Sequence, residues 1–269
     1  MFYNAKNGNI KIGNTDMDYI SFGKGDRNLI MIPGLADGLK TVKGTATVIA
    51  VMYKCFASNY KVYVFSRKNH LEEGYSTREM AADCKMAMDK LGISQADVMG
   101  ISQGGMIAQY IAIDYPESVR KLVLVVTLSK QNETVQKAVG SWIKMAESND
   151  YKSIFIDTTE KSYTERRLKK YRPLYPLLGR IGKPKDFNRF IIQANSCISH
   201  NAYSELDSIK CPTLVIGVDN DKVVGANTSE EINKKIENSK LVIYKGFGHG
   251  VYEEVKDFNR QVLEFLMSQ

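Results

Sequence analysis

The stretch Val98-Met99-Gly100-Ile101-Ser102-Gln103-Gly104-Gly105-Met106 constrains this chain more than any other. It reads as a strand running into a turn and then a helix, with the pattern Gly-x-Ser-x-Gly laid across the turn. A serine held there takes a strained backbone conformation, and glycines two places to either side let strand and helix approach without side-chain clashes. The strain exposes the hydroxyl. The next residue's backbone N–H begins the helix, where unpaired amides and the positive end of the helix dipole favour a developing negative charge. A nucleophile and half of an oxyanion site therefore meet in one turn. The flanks agree, since the strand-like Ala96–Met99 precedes it and Met106–Ile113 is apolar nearly all round, as a buried helix is.

The rest of the chain alternates. Asn9–Ile12 and Met17–Ser21 predict two short strands, closed by the turn residues of Gly23–Asp26. The continuous apolar run Asn28–Ile32 ends at Pro33-Gly34 and suits a strand buried on both faces. A helix is expected within Thr45–Ala57, a strand at Lys61–Phe65, and a helix at Thr77–Gly92 that Ser76 or Thr77 caps and Gly92 ends. Lys121–Thr127 carries the strongest strand signal. From Ser129 to about Tyr203 the rhythm breaks into a helical, more basic segment interrupted at Pro173, Pro176 and Pro184. Alternation resumes with a strand at Thr213–Gly217, a helix near Ser229–Ile236, a strand at Leu241–Tyr244 and a last helix at Glu254–Met267. Such alternation predicts an α/β fold, a mostly parallel sheet with helices on both faces, whose reactive groups collect at the carboxyl ends of strands.

Composition excludes several alternatives. The net charge of +7 suggests nucleic acid until it is located. Lys130–Arg189 holds 14 Lys and Arg against 7 Asp and Glu, and the remaining chain has 23 of each. The excess lies in the helical segment, with no nucleic-acid-binding module in view, so no nucleic-acid partner is expected. Cys55, Cys84, Cys197 and Cys211 are scattered without Cys-x-x-Cys spacing, which predicts free thiols in a reduced compartment and no metal site. No run approaches a membrane span and the first residues lack the apolar core of a signal peptide, so a cytoplasmic location is expected.

A serine hydroxyl is a poor nucleophile at neutral pH unless a base takes its proton and a third group orients that base. The chain has three histidines. His249, in Gly246-Phe247-Gly248-His249-Gly250, follows a strand and is the best candidate; His70 lies among charged residues and His200 within the helical segment. The acid is expected after the preceding strand, where Asp219 and Asp221 both qualify.

The order Ser102, an acid near 220 and His249 resembles that of the α/β-hydrolase superfamily, whose triad runs Ser, acid, His. The similarity covers nearly all of the chain outside the helical segment. It implies Asp221 as the acid, because the family's aspartate stands before a short apolar pair, here Val223-Val224. It also implies an oxyanion hole formed by the backbone N–H groups of Leu35 and Gln103, with Pro33-Gly34 in place of the family's usual His-Gly. Residues 1–129 and 204–269 then form the hydrolase core and 130–203 a helical cap over the pocket. Trp142, Tyr163, Tyr171, Tyr175 and Phe190 of that cap are candidates to line the pocket. The basic run Arg166–Arg172 is either a solvated face or a guide for anionic substrates. The resemblance implies a cofactor-independent serine hydrolase for a small-molecule carboxylic ester, lactone or thioester. Acyl transfer, carbon–carbon hydrolysis, perhydrolysis and slow-turnover ligand sensing are its rivals.

Overall fold

A computed structural model describes residues 2–268. In chain order its elements begin with β1 (Lys6–Ile12), β2 (Thr15–Phe22), β3 (Arg27–Ile32), α1 (Ala46–Met52), β4 (Tyr60–Lys68) and α2 (Thr77–Lys90). Then come β5 (Ala96–Ile101), α3 (Gln103–Asp114) and β6 (Val119–Val125). Five helices follow: α4 (Glu133–Glu147), α5 (Tyr151–Ser162), α6 (Glu165–Tyr171), α7 (Tyr175–Leu178) and α8 (Asn188–Ser199). The chain closes with β7 (Thr213–Val218), α9 (Thr228–Lys235), β8 (Ser239–Tyr244), α10 (Val251–Glu254) and α11 (Phe258–Met267).

The strands form one eight-stranded sheet in the order β1-β2-β4-β3-β5-β6-β7-β8. The β1–β2 and β2–β4 pairs are antiparallel and all others parallel. Both faces of the parallel part are covered, which is why β5 and β7 are buried at every residue and apolar but for Asp97 and Thr213. On one face Met80 and Ala81 of α2, Ile107 and Ile111 of α3 and Ile232 of α9 share a buried apolar cluster with Val98 and Leu122. On the other, Ala46 and Ala50 of α1 and Phe258, Val262 and Leu266 of α11 pack with Met99 and Val123. The strand β1 is the exposed, lysine-bearing edge, a common protection against pairing with another chain.

The helices α4 to α8 lie between β6 and β7. Their entry and exit are tied together: Lys130 bridges Asn201, and the Ala202 N–H donates to the Ser129 carbonyl at 2.7 Å. A third apolar cluster joins this segment to the core, with Val135, Val139 and Trp142 of α4 and Phe190 and Ala194 of α8 against Leu35 and Met106.

Several strands run longer than the sequence reading, such as β1 from Lys6 and β4 to Lys68, and two other differences change an element. The expected last helix is two, α10 and α11, separated around Val255–Asp257. The strand at Lys121–Thr127 stops at Val125, because Val126 takes a φ of 41°, a left-handed conformation that a β-branched residue enters only under constraint. The constraint is local. The Val126 N–H donates to the Ile216 carbonyl at 2.8 Å, and Thr127 Oγ1 turns back to donate to the Ser102 carbonyl at 2.8 Å. Of the two capping candidates for α2, Ser76 caps it, in a reciprocal box with Glu79.

Candidate active site

Ser102 stands between β5 and α3 with φ 55° and ψ −118°. Holding a non-glycine residue there costs about 1–3 kcal/mol, and the surroundings must supply it. They do so through the backbone: the Ser102 N–H donates to the Val125 carbonyl at 2.9 Å, and the Ser102 carbonyl accepts from Gly105 N–H at 2.8 Å as well as from Thr127. The glycines are required by close approach. A Cβ on Gly100 would stand 2.2 Å from the Gly104 carbonyl oxygen, and one on Gly104 would stand 1.9 Å from that of Ile32. The hydroxyl is left half-buried at the carboxyl end of the sheet.

His249 lies in the loop between β8 and α10. Its Nε2 is 2.9 Å from Ser102 Oγ, and its Nδ1 is 2.8 Å from Asp221 Oδ2. The loop rests on the end of α5, where the Gly250 N–H donates to the Ser162 carbonyl at 2.8 Å. The other oxygen of Asp221 accepts the N–H groups of Val223 and Val224 at 2.8 and 2.9 Å, so the apolar pair holds the carboxylate through its backbone. Asp219 is exposed and does different work, accepting the Gly246 N–H at 2.8 Å across the β7 and β8 loops. The other histidines lie elsewhere. His70 is exposed, while His200 is buried, with Nδ1 2.9 Å from Thr77 Oγ1, and burial lowers its pKa to about 3.

Leu35 opens a 3-10 helix (Leu35–Gly38) after β3, and Gln103 opens α3. The first N–H of a helix has no acceptor within it, so both amides are available to an anion. The two segments are adjacent: a Cβ on Gly34 would lie 3.3 Å from Ser102 Cβ.

Sequence reasoning missed a buried polar network beneath this loop. Arg67, at the end of β4, donates through Nη2 to Gln103 Oε1 at 2.7 Å, to the Gly34 carbonyl at 3.4 Å and to the Pro33 carbonyl. Asp37 Oδ2 accepts the Arg67 backbone N–H at 3.0 Å and Arg189 Nη2 from α8 at 2.5 Å. Burial works against the Asp37 carboxylate, but Arg189 and Arg67 outweigh it and hold its pKa below the ordinary value. The Gln103 side chain also donates to the Gln193 carbonyl at 2.8 Å.

A cavity of about 620 Å³ opens between the loop after β3, α5 and α10. Its lining includes Pro33, the neighbour of Gly34, but none of Ser102, Gln103, Leu35 or His249, and its walls include Ile49, Ile154, Phe155, Tyr163 and Tyr252. Of the five aromatics expected to line a pocket, only Tyr163 lines this one. Trp142 and Phe190 are packing residues of the third apolar cluster. Tyr171 stacks on Tyr163, and Tyr175 donates to Glu160 at 2.8 Å. In the basic run, Arg167 pairs with Glu253 at 2.9 Å, and Arg172 pairs with Glu160 and Glu165 at 2.8 Å each. Two of its five cations are thereby neutralised.

A hydroxyl bonded to an imidazole whose far nitrogen faces a carboxylate can pass its proton to the ring as it attacks a carbonyl carbon. Comparison with known proteins places the chain in a family. A family model described as alpha/beta hydrolase fold matches residues 27–255. The chain is 26% identical over 282 aligned residues to 2-hydroxy-6-oxononadienedioate/2-hydroxy-6-oxononatrienedioate hydrolase 1 of Pseudomonas putida, covering 96% of this chain and 95% of that one. Among solved structures it resembles MGS-M2, an alpha/beta hydrolase enzyme from a Medee basin deep-sea metagenome library. The TM-score is 0.85 at 21% identity, over 97% of this chain and 98% of that one. The enol-lactonase of Burkholderia xenovorans LB400 gives a TM-score of 0.82 at 15% identity, over 97% of this chain and 100% of that one. These two likenesses speak to the fold alone.

Proposed function

We propose, from the premise that this chain belongs to the alpha/beta hydrolase fold family, that it is a serine hydrolase cleaving a carboxylic ester, lactone or thioester of a small molecule. One observation carries the reading: Asp221, His249 and Ser102 form a continuous hydrogen-bonded run ending on a strained serine. Ser102 Oγ attacks the carbonyl carbon while His249 Nε2 takes its proton. Asp221 fixes the ring with its Nδ1–H inward and stabilises the imidazolium. The tetrahedral oxyanion rests on the N–H groups of Leu35 and Gln103. Collapse breaks the bond to the leaving group, which leaves with the proton from His249. Water then repeats the sequence on the acyl-enzyme and releases the acid.

The helical segment 130–203 serves as a cap that gives the substrate its shape and keeps water out. The cavity walls favour a substrate of low charge. Their charged side chains are Lys40, Asp37, which is buried against Arg67 and Arg189, and Glu253, which pairs with Arg167. The Pseudomonas putida relative, by its name, acts on a dioate, and these walls offer little to hold two carboxylates.

The test is steady-state hydrolysis of chromogenic acyl esters of graded length by the wild type and Ser102→Ala, with labelling of Ser102 by a small phosphonate. Rapid turnover of a preferred length, lost in the variant, together with labelling at Ser102, is the expected result. An active Ser102→Ala protein refutes the scheme.

A further inference from the structure

The most unusual feature outside the serine, histidine and aspartate run is the buried charge beneath the loop after β3. The side chains of Arg67 and Asp37 are each 1% exposed and that of Arg189 is 14% exposed. Two guanidiniums share one carboxylate, so the cluster carries one positive charge in excess. A buried cation without its own counter-ion is costly, and folded proteins keep one only where other groups hold it.

Arg67 is held by the loop itself. The Gly34 carbonyl accepts from Arg67 Nη2 at 3.4 Å and from the Asp37 N–H at 3.2 Å. No peptide bond among the described residues is cis, so the N–H of that peptide unit, which belongs to Leu35, points the opposite way. The peptide runs past the serine, since a Cβ on Gly34 would lie 3.8 Å from Ser102 Oγ. A carbonyl drawn toward a guanidinium also makes the N–H of the same peptide a stronger donor, because hydrogen bonds in a chain polarise one another. The second amide is served by the same side chain, through the 2.7 Å bond from Arg67 to the Gln103 side chain.

We propose that Arg67 is a positioning residue for the oxyanion site. It fixes and polarises the Leu35 amide, steadies the turn that presents the Gln103 amide, and sets positive charge behind the place where negative charge develops. Asp37 aims it. Arg189 makes the arrangement depend on α8, because its Nε donates to the Lys68 carbonyl and its Nη2 to the Arg67 carbonyl, both at 2.9 Å. The proposal rests on the serine-hydrolase reading above.

The experiment compares Arg67→Met, Arg67→Lys and Gln103→Leu with the wild type. It measures kcat and KM on the preferred ester, urea unfolding, and affinity for a trifluoromethyl ketone. Addition of Ser102 Oγ to that ketone forms an anionic hemiketal, the proton passing to His249. Arg67→Met is expected to lose about 10- to 100-fold in kcat, less than or comparable to the loss of an oxyanion donor, and a similar factor in ketone affinity. KM stays within about twofold, the mark of an interaction made in the transition state. Arg67→Lys recovers part of both losses, because an ammonium keeps the charge without the fork. A folded Arg67→Met protein with wild-type kcat, or with a loss confined to KM, overturns the proposal. If Arg67→Met does not fold, Gln103→Leu decides: a loss of about 10-fold in kcat and ketone affinity supports it, and unchanged values overturn it. A wild type that a phosphonate fails to label at Ser102 refutes the hydrolase reading instead, so the two failures are distinct.

Discussion

Asp221 accepts three hydrogen bonds, and their division between its two oxygens predicts what asparagine would do there. Oδ1 takes the N–H groups of Val223 and Val224 at 2.8 and 2.9 Å, and Oδ2 takes His249 Nδ1 at 2.8 Å. Asparagine has one oxygen and one NH2 group. With its oxygen on the backbone pair, both buried donors stay satisfied. Reversed, the NH2 group would face two N–H groups, leaving two buried donors unpaired at about 1–3 kcal/mol each. A difference of about 2–6 kcal/mol corresponds to at least about 30 to 1, so the NH2 group faces His249. Nδ1 must then accept, which moves the ring proton to Nε2, opposite Ser102 Oγ. The base has become a donor.

Asp221→Asn is therefore expected to lose on the order of 10⁴ in kcat while keeping its fold, as the same change does in a serine-protease triad. Asp219→Asn is the control, because asparagine keeps an oxygen for the exposed Gly246 N–H. Its kcat is expected within about twofold of wild type, in the range of surface substitutions away from special features. The assay is steady-state ester hydrolysis with unfolding curves for both variants. A fully active Asp221→Asn protein, or an Asp219→Asn protein crippled to a similar degree, would refute the assignment.

Leu35→Pro removes one oxyanion amide with its backbone otherwise undisturbed, at the cost of part of the Leu35 packing in the third apolar cluster, since Leu35 opens a helix and Gly34 is already extended at φ −72° and ψ −168°, as a residue before proline should be. It is expected to cost about 10²- to 10³-fold in kcat with the circular dichroism spectrum retained, and full activity would remove Leu35 from the site. Gly104→Ala places a Cβ 1.9 Å from the Ile32 carbonyl oxygen, which forces β3 and α3 apart. A loss above about 3 kcal/mol in urea unfolding is expected, and wild-type stability would show that the turn yields more easily than its packing implies. His200, whose pKa burial lowers to about 3, stays neutral in the fold while an unfolded histidine takes up a proton below about 6.5. The unfolded state thus binds the extra proton between those values. Wild-type stability falls there by about 1.4 kcal/mol per pH unit, about 2 kcal/mol by pH 5, and His200→Gln lacks that share of the slope. Equal slopes in the two proteins between pH 7 and 5 would refute this.

The fold was largely legible because its signals are local. The buried strands appear as short, mainly apolar runs bounded by turn residues. The serine turn is legible for the same reason, since the glycines at 100 and 104 are demanded by contacts within the turn and with the neighbouring β3. Position along the chain suggests His249, because a residue just past a parallel strand must lie at one end of the sheet. Asp221 and Asp219 are equal by that criterion. What separates them is that the backbone after Asp221 turns back to donate twice to its carboxylate, while Asp219 points outward to Gly246.

The network beneath the loop is illegible for the opposite reason. Asp37, Arg67 and Arg189 come from a helical turn, a strand end and a helix start, and none stands in a pattern with the others. In sequence Arg67 looks like the first charge of a solvated loop, beside Lys68 and Asn69. Only the fold reveals that β4 runs on through Arg67 to Lys68, with the guanidinium directed inward beneath Pro33 and Gly34. Long aromatic side chains mislead in the reverse direction. Trp142 and Phe190 fill the joint between the helical segment and the core, where large rings bury the most area, so the residues that most resemble pocket walls are spent on holding the segment in place. The walls fall instead to residues such as Ile49, Ile154 and Phe155, which sequence alone assigns to ordinary helix packing. On the proposed function, substrate preference would lie in how α5 and the loop after β3 face each other. Substitutions at Ile49, Ile154 or Phe155 should alter chain-length preference in the graded-ester assay while leaving Ser102 labelling intact; unchanged preference would remove this cavity from the site.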